Sequence, residues 1–165
     1  SRISPKKNIL DLVKLITTIN ITYPGISLDI YGFVEDVVYF NKLKPYFSKN
    51  INFKGTLDRD KLSSVLVSYH MFISLSGNEN FGHSAVESML IGLPVILSDG
   101  FPWNDVPEDA GIILNDYDLL SQKIDSFYFS SDLSKQRKSI KSYIQNKLNI
   151  DDLISSYKDM LLNSR

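Results

Sequence analysis

The chain contains no cysteine, two histidines and a single tryptophan in 165 residues. The lack of cysteine excludes disulfides, thiolate metal sites and thiol nucleophiles. The histidines, His70 and His83, are too few to indicate a zinc site. Basic and acidic side chains number 18 and 19, so the sequence has no basic excess of the kind that binds a nucleic-acid backbone.

Long apolar runs are also missing. No stretch approaches the roughly 20 apolar residues that a membrane helix needs, and we expect no signal peptide. These features predict a cytoplasmic protein, with peripheral attachment to the inner face of a membrane left open. The length fits one domain, 1–165, and a hydrophobic content of 43% is ordinary for a globular core.

Short apolar runs alternate with longer stretches in which apolar residues recur at helical spacing. The short runs predict strands at 27–32, 51–55, 71–76, 94–98 and 111–115. The longer stretches predict helices at about 5–22, 34–46, 58–68 and 82–91, with two or three more after residue 116 and a break at 148–150.

This alternation predicts a parallel sheet covered by helices on both faces, a doubly wound α/β domain of Rossmann type with extra C-terminal helices. Such a domain usually begins with a strand, whereas this chain begins with a loop and a helix. We therefore expect that a first strand, and a further domain before it, belong to a larger protein.

The segment SLSGNENFGHSAVESMLIGLPVILSD, residues 74–99, places Glu79 and Glu87 on a loop and in the helix that follows it. Ligands of doubly wound sheets bind outside the carboxyl ends of the strands. The unpaired amides of a first helical turn, here expected at His83, Ser84 and Ala85, favour an anion such as a diphosphate. Glu87 could then accept hydrogen bonds from a ribose diol, and Glu79 from hydroxyls on the group that the diphosphate carries.

A simpler interpretation stays open at this point. The helical rise puts the two carboxylates roughly 12 Å apart, too far for a shared-proton pair or for the pair of a retaining glycosidase. Ser84 and Glu87 also match a capping box, in which Glu87 would only accept a hydrogen bond from a backbone amide. The local pattern alone does not separate the structural role from the binding role.

The wider pattern resembles a known family. From Glu79 to Ile96 the chain reads E-x-F-G-x4-E-x-M-x2-G-x-P-V-I, which resembles the E-x7-E motif of retaining glycosyltransferases of family 4, with the GT-B fold. The opening SRISPKKN is similar to that family's basic segment, with Arg2 and Lys7 at the basic positions. The resemblance extends over positions 1–115. One departure is Gly32-Phe33-Val34, where the family has Gly-x-Gly.

The resemblance implies the C-terminal, donor-binding half of a two-domain hexosyltransferase that retains anomeric configuration without a metal or other cofactor. Its catalytic residues would be Glu79, Arg2 and Lys7. Its donor-binding residues would be Glu87 at the ribose, Phe81, Gly82, His83 and Ser84 at the sugar and phosphates, and Gly55, Thr56 and Leu57 at the base.

The resemblance also implies the substrates. A UDP- or GDP-sugar would give its sugar to a glycan or lipid-linked acceptor, as in bacterial surface polysaccharide synthesis. The acceptor would contact the absent N-terminal domain, so the isolated domain is expected to be nearly inactive.

Alternative functions are half of a sugar-nucleotide epimerase, which the E-x7-E motif disfavours, and a non-catalytic nucleotide-binding module. A dehydrogenase is disfavoured because no G-x-G-x-x-G follows a predicted strand. In DGFPWND, residues 99–105, Trp103 is expected either to line the cleft or to pack, and Asp105 to be a loop charge.

Overall fold

The computed structural model describes residues 1–114, Leu120, Ile124 and 132–149. Its helices are α1 Ile9–Thr22, α2 Val37–Leu43, α3 Arg59–Leu66, α4 His83–Ile91 and α5 Leu133–Lys147. Its strands are β1 Leu28–Tyr31, β2 Ile51–Gly55, β3 Phe72–Ser74, β4 Val95–Ser98 and β5 Gly111–Leu114. The predicted helices around α5, between 115 and 131 and after 149, lie outside the described residues.

All the described strands are parallel to their neighbours. β1 pairs with β2, with Leu28 beside Ile51. β4 lies between β3 and β5, with Val95 beside both Phe72 and Gly111. The predicted α/β fold with parallel strands is confirmed, and parallel strands joined by helical crossovers are the arrangement in which both sheet faces are covered.

The strands form two sheets instead of the single sheet predicted. Among the described residues no ladder joins β1 to β3. Residues of both strands border one cavity of about 850 Å³, so open space separates the two edges. The amino group of Ser1 donates to the Tyr31 carbonyl at 2.9 Å, and Ile3 forms a parallel bridge with Val34. Residues 1–3 therefore lie beside the carboxyl end of β1, and Ser1 borders the cavity between the two sheets.

The buried apolar side chains form two clusters. The first lies under α1, whose predicted face of Ile9, Leu12, Val13, Ile16 and Ile19 is buried, as the spacing indicated. The second joins α4, β4 and α5 and contains Met89, Leu97, Trp103 and Ile140. Each large side chain removed from water contributes about 1.5–3 kcal/mol, so these clusters fix the helices that carry the candidate site.

None of the described helices combines the length and the apolar character that crossing a bilayer requires.

The second helix begins later than its sequence suggested. The prediction started it near Val34, but α2 starts at Val37. The carboxylate of Asp36 accepts a hydrogen bond from the Tyr39 amide at 2.8 Å, and this N-cap sets the first helical residue.

The first helix is also shorter than predicted. Pro5–Lys7 forms one 3-10 turn, and α1 starts at Ile9, because Asn8 adopts the left-handed conformation with φ of 49°. Asparagine is one of the few residues other than glycine that adopt this conformation readily. Asn8 thus sets the angle between the turn that carries Lys7 and the helix that anchors it.

We expect Asn8→Ala to lower the free energy of unfolding by about 1–2 kcal/mol, because a Cβ-bearing residue without a polar side chain is strained at positive φ. Asn8→Gly should be neutral or stabilising. Urea denaturation measures both. The matched control is Asn41→Ala, on the exposed surface of α2, where alanine is favoured by helix propensity. Equal stability of Asn8→Ala and the original chain would contradict the backbone argument.

Candidate functional site

The N-terminus of α4 offers free backbone donors. Gly82 precedes the helix in the left-handed conformation with φ of 72°, and no side chain caps it. The amides of Gly82, His83 and Ser84 have no acceptor within the described part of the chain, whereas the Ala85 amide, expected to be free, donates to the Gly82 carbonyl at 2.9 Å. Three unpaired amides at the positive end of a helix dipole form a site that suits an anion.

Gly82 has two reasons to be glycine. Its positive φ is strained for other residues, and a Cβ there would lie 2.7 Å from the ring of Phe101. Trp103 lies on the same side of Gly82 as Phe101. Its indole Nε1 donates a hydrogen bond to the Phe81 carbonyl at 2.7 Å. The ring of Phe81 lies 5.4 Å from that of Trp103, nearly perpendicular to it.

A charged pair lies beside this helix. Lys7 forms an ion pair with Glu79, and the two side chains are only 13% and 16% exposed. The chain brings them together because the Lys6 carbonyl accepts hydrogen bonds from the Gly77 amide at 3.3 Å and the Ser76 hydroxyl at 3.2 Å. The N-terminal turn is thus docked on the loop between β3 and α4.

The pair changes the protonation of Glu79. Burial alone raises the pKa of Glu79, but the hydrogen bond from Lys7, the neighbouring Ser76 hydroxyl and the positive charges of Lys7 and Lys6 outweigh it, so the pKa of Glu79 is lowered overall. Glu79 therefore remains a carboxylate near neutral pH, able to accept hydrogen bonds from hydroxyl groups.

The large cavity connects most of the predicted residues. Those that border it are Arg2, Lys7, Thr56, Leu57, His83, Ser84 and Glu87. The cavity is not bordered by Gly55, Glu79, Phe81 or Gly82. Glu79 forms its ion pair with Lys7, which does border the cavity. Sequence positions from three separate segments are thereby brought to the carboxyl ends of the strands, where doubly wound domains bind their ligands. The roles of the individual residues stay predictions.

The capping-box interpretation of Glu87 is wrong. Because α4 begins at His83, Ser84 lies inside the helix and cannot be its N-cap. The carboxylate of Glu87 has no hydrogen-bond or ion-pair partner among the described residues, and it borders the cavity.

Arg2 is less constrained than Lys7. It pairs with Glu35 at 2.5 Å, but the side chains are 61% and 39% exposed, so the pair contributes at most about 1 kcal/mol. Gly32 lies so close to Ser1 that a Cβ would meet its carbonyl oxygen at 1.6 Å. The next residue, Phe33, is 64% exposed and borders the cavity. Phe33 occupies the variable position of the Gly-x-Gly pattern, whereas Val34, which replaces the second glycine, packs against the first apolar cluster.

No group of three or more metal-ligating side chains occurs among the residues that the structure describes. A second cavity, of about 410 Å³, lies between Gly92 at the end of α4 and the first half of α5, and it contains none of the predicted site residues.

Three hydrogen bonds of the β4–β5 loop were not predicted. Asp105, expected to be a loop charge, accepts hydrogen bonds from Tyr143 at 2.6 Å and Lys147 at 2.5 Å. Glu79 donates its backbone amide to the Gly100 carbonyl at 2.9 Å. The only sequence signal for these hydrogen bonds was the position of an aromatic-rich loop, 99–105, directly after an apolar strand.

Comparisons with known proteins identify the family of this chain. The family described as Glycosyl transferases group 1 matches residues 1–147. The chain therefore belongs to that family, and its parallel α/β fold is that of a Rossmann-like domain of the GT-B glycosyltransferases.

A curated relative is the UDP-N-acetylglucosamine--peptide N-acetylglucosaminyltransferase GtfA subunit of Streptococcus agalactiae, which is 32% identical over 98 residues. That alignment covers 58% of this chain and 19% of the relative. The chain therefore spans about a fifth of the length of that protein.

Solved structures share the fold. The pneumococcal O-GlcNAc transferase GtfA in complex with UDP and GlcNAc matches with a TM-score of 0.74 at 23% identity, over 98% of this chain and 35% of that one. A glycosyltransferase from Rickettsia africae ESF-5 matches with a TM-score of 0.76 at 21% identity, over 99% of this chain and 47% of that one.

The lowered pKa of Glu79 predicts a pH effect on stability. The unfolded chain protonates Glu79 near its ordinary pKa of 4.5, whereas the folded chain protonates it only at lower pH. The stabilisation is therefore complete above about 4.5 and is lost as the pH falls through the lowered pKa. We expect Glu79→Gln to be destabilising at pH 7, with the difference from the original chain narrowing in acid.

Chemical denaturation at several pH values measures this difference. The matched control is Glu108→Gln, which removes an exposed carboxylate of the β4–β5 loop and should have little effect at any pH. A Glu79→Gln difference that is independent of pH would contradict the ion-pair account.

Proposed function

We propose that this chain is the donor-binding part of a retaining, family 4 glycosyltransferase that transfers a sugar from a nucleoside diphosphate sugar. One observation supports this most strongly. Lys7, His83, Ser84 and Glu87 border one cavity, Glu79 is paired with Lys7, and the amides of Gly82, His83 and Ser84 have no acceptor among the described residues. These groups match the chemical parts of such a donor: an anion, a ribose and a hydroxyl-rich sugar.

In this proposal the diphosphate lies against the amides of Gly82, His83 and Ser84. The negative charge that grows on it as the sugar leaves would be stabilised by those amides, by the helix dipole and by Lys7. Fixed donors and charges aimed at a developing anion are usually the largest single contribution to catalysis. Arg2, exposed and only weakly paired, would approach the same charge from the cavity edge.

Glu87 would hold the ribose. Its carboxylate borders the cavity and has no partner in the described part of the chain. It can therefore accept hydrogen bonds from two hydroxyl groups without breaking an existing contact. The base would lie near Thr56 and Leu57, which border the same cavity on the side of β2.

Lys7 and Glu79 would exchange partners when the donor binds. In the free chain each neutralises the other. A bound diphosphate would draw Lys7 away, and Glu79 would then accept hydrogen bonds from the sugar hydroxyls. The ion pair thus keeps two buried charges compensated until the substrate replaces both contacts.

The first donors to test are UDP-sugars, because the Streptococcus agalactiae relative is named for UDP-N-acetylglucosamine and the pneumococcal structure contains UDP. GDP-sugars remain the alternative. The acceptor would be a glycan, a lipid-linked sugar or a protein side chain, bound largely by a second domain. Metal-independent transfer remains part of the proposal, since Lys7 and Arg2 would supply the positive charge.

The space between β1 and β3 supports a second part of the proposal. Neighbouring strands of a sheet lie about 4.8 Å apart. β1 and β3 each have one edge that pairs with no strand among the described residues, so one further parallel strand between them would join the two sheets. Its carboxyl end would lead into Ser1, which already bonds Tyr31. We propose that the larger enzyme supplies this strand together with its acceptor-binding domain.

Binding of nucleotides tests the site. We expect calorimetry to detect binding of UDP or GDP, with a clear preference for one base. Glu87→Ala should weaken it about tenfold or more, because two hydrogen bonds from the ribose to a charged acceptor are lost. Glu108→Ala, which removes a carboxylate away from the cavity, is the matched control and should bind normally. No binding of UDP, GDP or ADP to the folded chain would overturn the proposal.

Turnover tests the role of Lys7 in the enzyme that carries this domain. We expect Lys7→Ala to lower kcat by about 10²–10³, the loss seen when one preorganised donor to a developing anion is removed. Lys49→Ala, an exposed lysine far along the chain from the cavity residues, serves as the control. Normal turnover by Lys7→Ala would remove Lys7 from the phosphate role.

A further inference from the structure

We propose that Trp103 is a positioning residue for the donor: its indole N–H fixes the peptide between Phe81 and Gly82 so that the Gly82 amide faces the diphosphate. This inference rests on the proposed function and adds a residue to its machinery that does not touch the substrate.

The hydrogen bond determines the direction of a peptide group. The Trp103 indole donates to the Phe81 carbonyl at 2.7 Å, and Trp103 is only 5% exposed. No cis peptide bond occurs among the described residues, and in a trans peptide the N–H points opposite to the carbonyl. Holding the Phe81 carbonyl toward the indole therefore turns the Gly82 N–H away from it. That N–H has no acceptor among the described residues.

Without this bond the peptide could rotate. Gly82 has a left-handed conformation that a glycine can leave easily, and it stands at the boundary between a loop and a helix. A flipped peptide would turn a carbonyl oxygen toward the place of the phosphate and replace attraction by repulsion. The hydrogen bond from the Trp103 indole thus determines whether an N–H or a carbonyl oxygen faces the phosphate at the start of α4.

The rest of the β4–β5 loop makes this support rigid. The ring of Phe101 lies 2.7 Å from where a Gly82 Cβ would be, and Gly100 accepts the hydrogen bond of the Glu79 amide. The backbone of Gly100 is close to Gly77, since a Cβ on Gly100 would meet the Gly77 carbonyl oxygen at 2.6 Å. The β4–β5 loop therefore contacts both the backbone of Glu79 and the residue Gly82 at the start of α4.

Helix α5 anchors the loop in turn. Asp105, two residues after Trp103, is bound by Tyr143 and Lys147 of α5. Burial and the hydrogen bond to Asp105 raise the pKa of the Tyr143 hydroxyl, so it stays protonated as the donor. The loop is thus tied to α5 at one end and to the candidate site at the other.

Trp103→Phe tests the proposal, because it keeps an aromatic ring in the buried cluster and removes only the N–H donor. We expect its affinity for UDP, measured by calorimetry, to fall about three- to tenfold, the effect of losing one hydrogen bond. The matched control is Val106→Ala, which removes buried volume from the same loop without touching the Phe81 carbonyl. It should lower the thermal midpoint while leaving UDP affinity within about twofold.

Trp103 is the only tryptophan of the chain, so its indole N–H gives a single NMR resonance. We expect that proton to exchange slowly with water in the free chain and its resonance to shift when UDP binds. An indole proton that exchanges as fast as an exposed one would overturn the proposal, as would equal UDP affinity of Trp103→Phe and the original chain.

Failure of the proposed function gives a different result. If the original chain binds no nucleoside diphosphate, the donor role is wrong for the site and for Trp103, even if the indole proton is protected. If the original chain binds UDP and only the Trp103→Phe comparison fails, the donor site stands and the positioning role falls.

Discussion

The ion pair between Lys7 and Glu79 is the contact on which the candidate site depends. It joins positions 72 residues apart and lies where both side chains are mostly shielded from water. Removing one partner would leave the other charge in a place where water cannot fully solvate it, which costs about 1–3 kcal/mol or more. The pair therefore holds the N-terminal turn against the loop that precedes α4, and so places a cation beside free helix amides.

The same pair explains how the site can exist without its ligand. Amides at a helix start attract anions, and a lysine nearby increases that attraction. In the free chain Glu79 pairs with Lys7, and the amides of Gly82, His83 and Ser84 have no acceptor among the described residues. In the proposed function, the phosphates of the donor would replace Glu79 as the partner of Lys7. The sugar hydroxyls would replace Lys7 as the partner of Glu79, so neither charge would be left without a contact. In the proposed function, this requirement would favour a complete donor over free phosphate.

Features governed by local periodicity could be predicted from the sequence. The buried face of α1 follows from its spacing, and the parallel α/β fold follows from the alternation of short and long apolar segments. The convergence of Glu87, Lys7 and Thr56 on one cavity followed from a motif and from the geometry of parallel sheets. The start of α4 did not, because Ser84-x-x-Glu87 is a valid capping pattern. Only the left-handed Gly82 decides that the helix begins before Ser84.

Contacts between distant segments account for what the sequence did not predict. The hydrogen bond from Trp103 to Phe81 and those from α5 to Asp105 depend on the path of a loop, which periodicity does not describe. The separation of β1 from β3 has the same origin, since a strand pattern identifies a strand but not its neighbours. The left-handed Asn8 is intermediate: asparagine permits the conformation, but the surrounding structure selects it.

A crystal structure of this chain with UDP tests the central claim most directly. The account predicts the diphosphate against the amides of Gly82–Ser84, Lys7 moved from Glu79 to a phosphate oxygen, and the ribose hydroxyls on Glu87. A diphosphate bound elsewhere, or one bound there while Lys7 still pairs with Glu79, would contradict it.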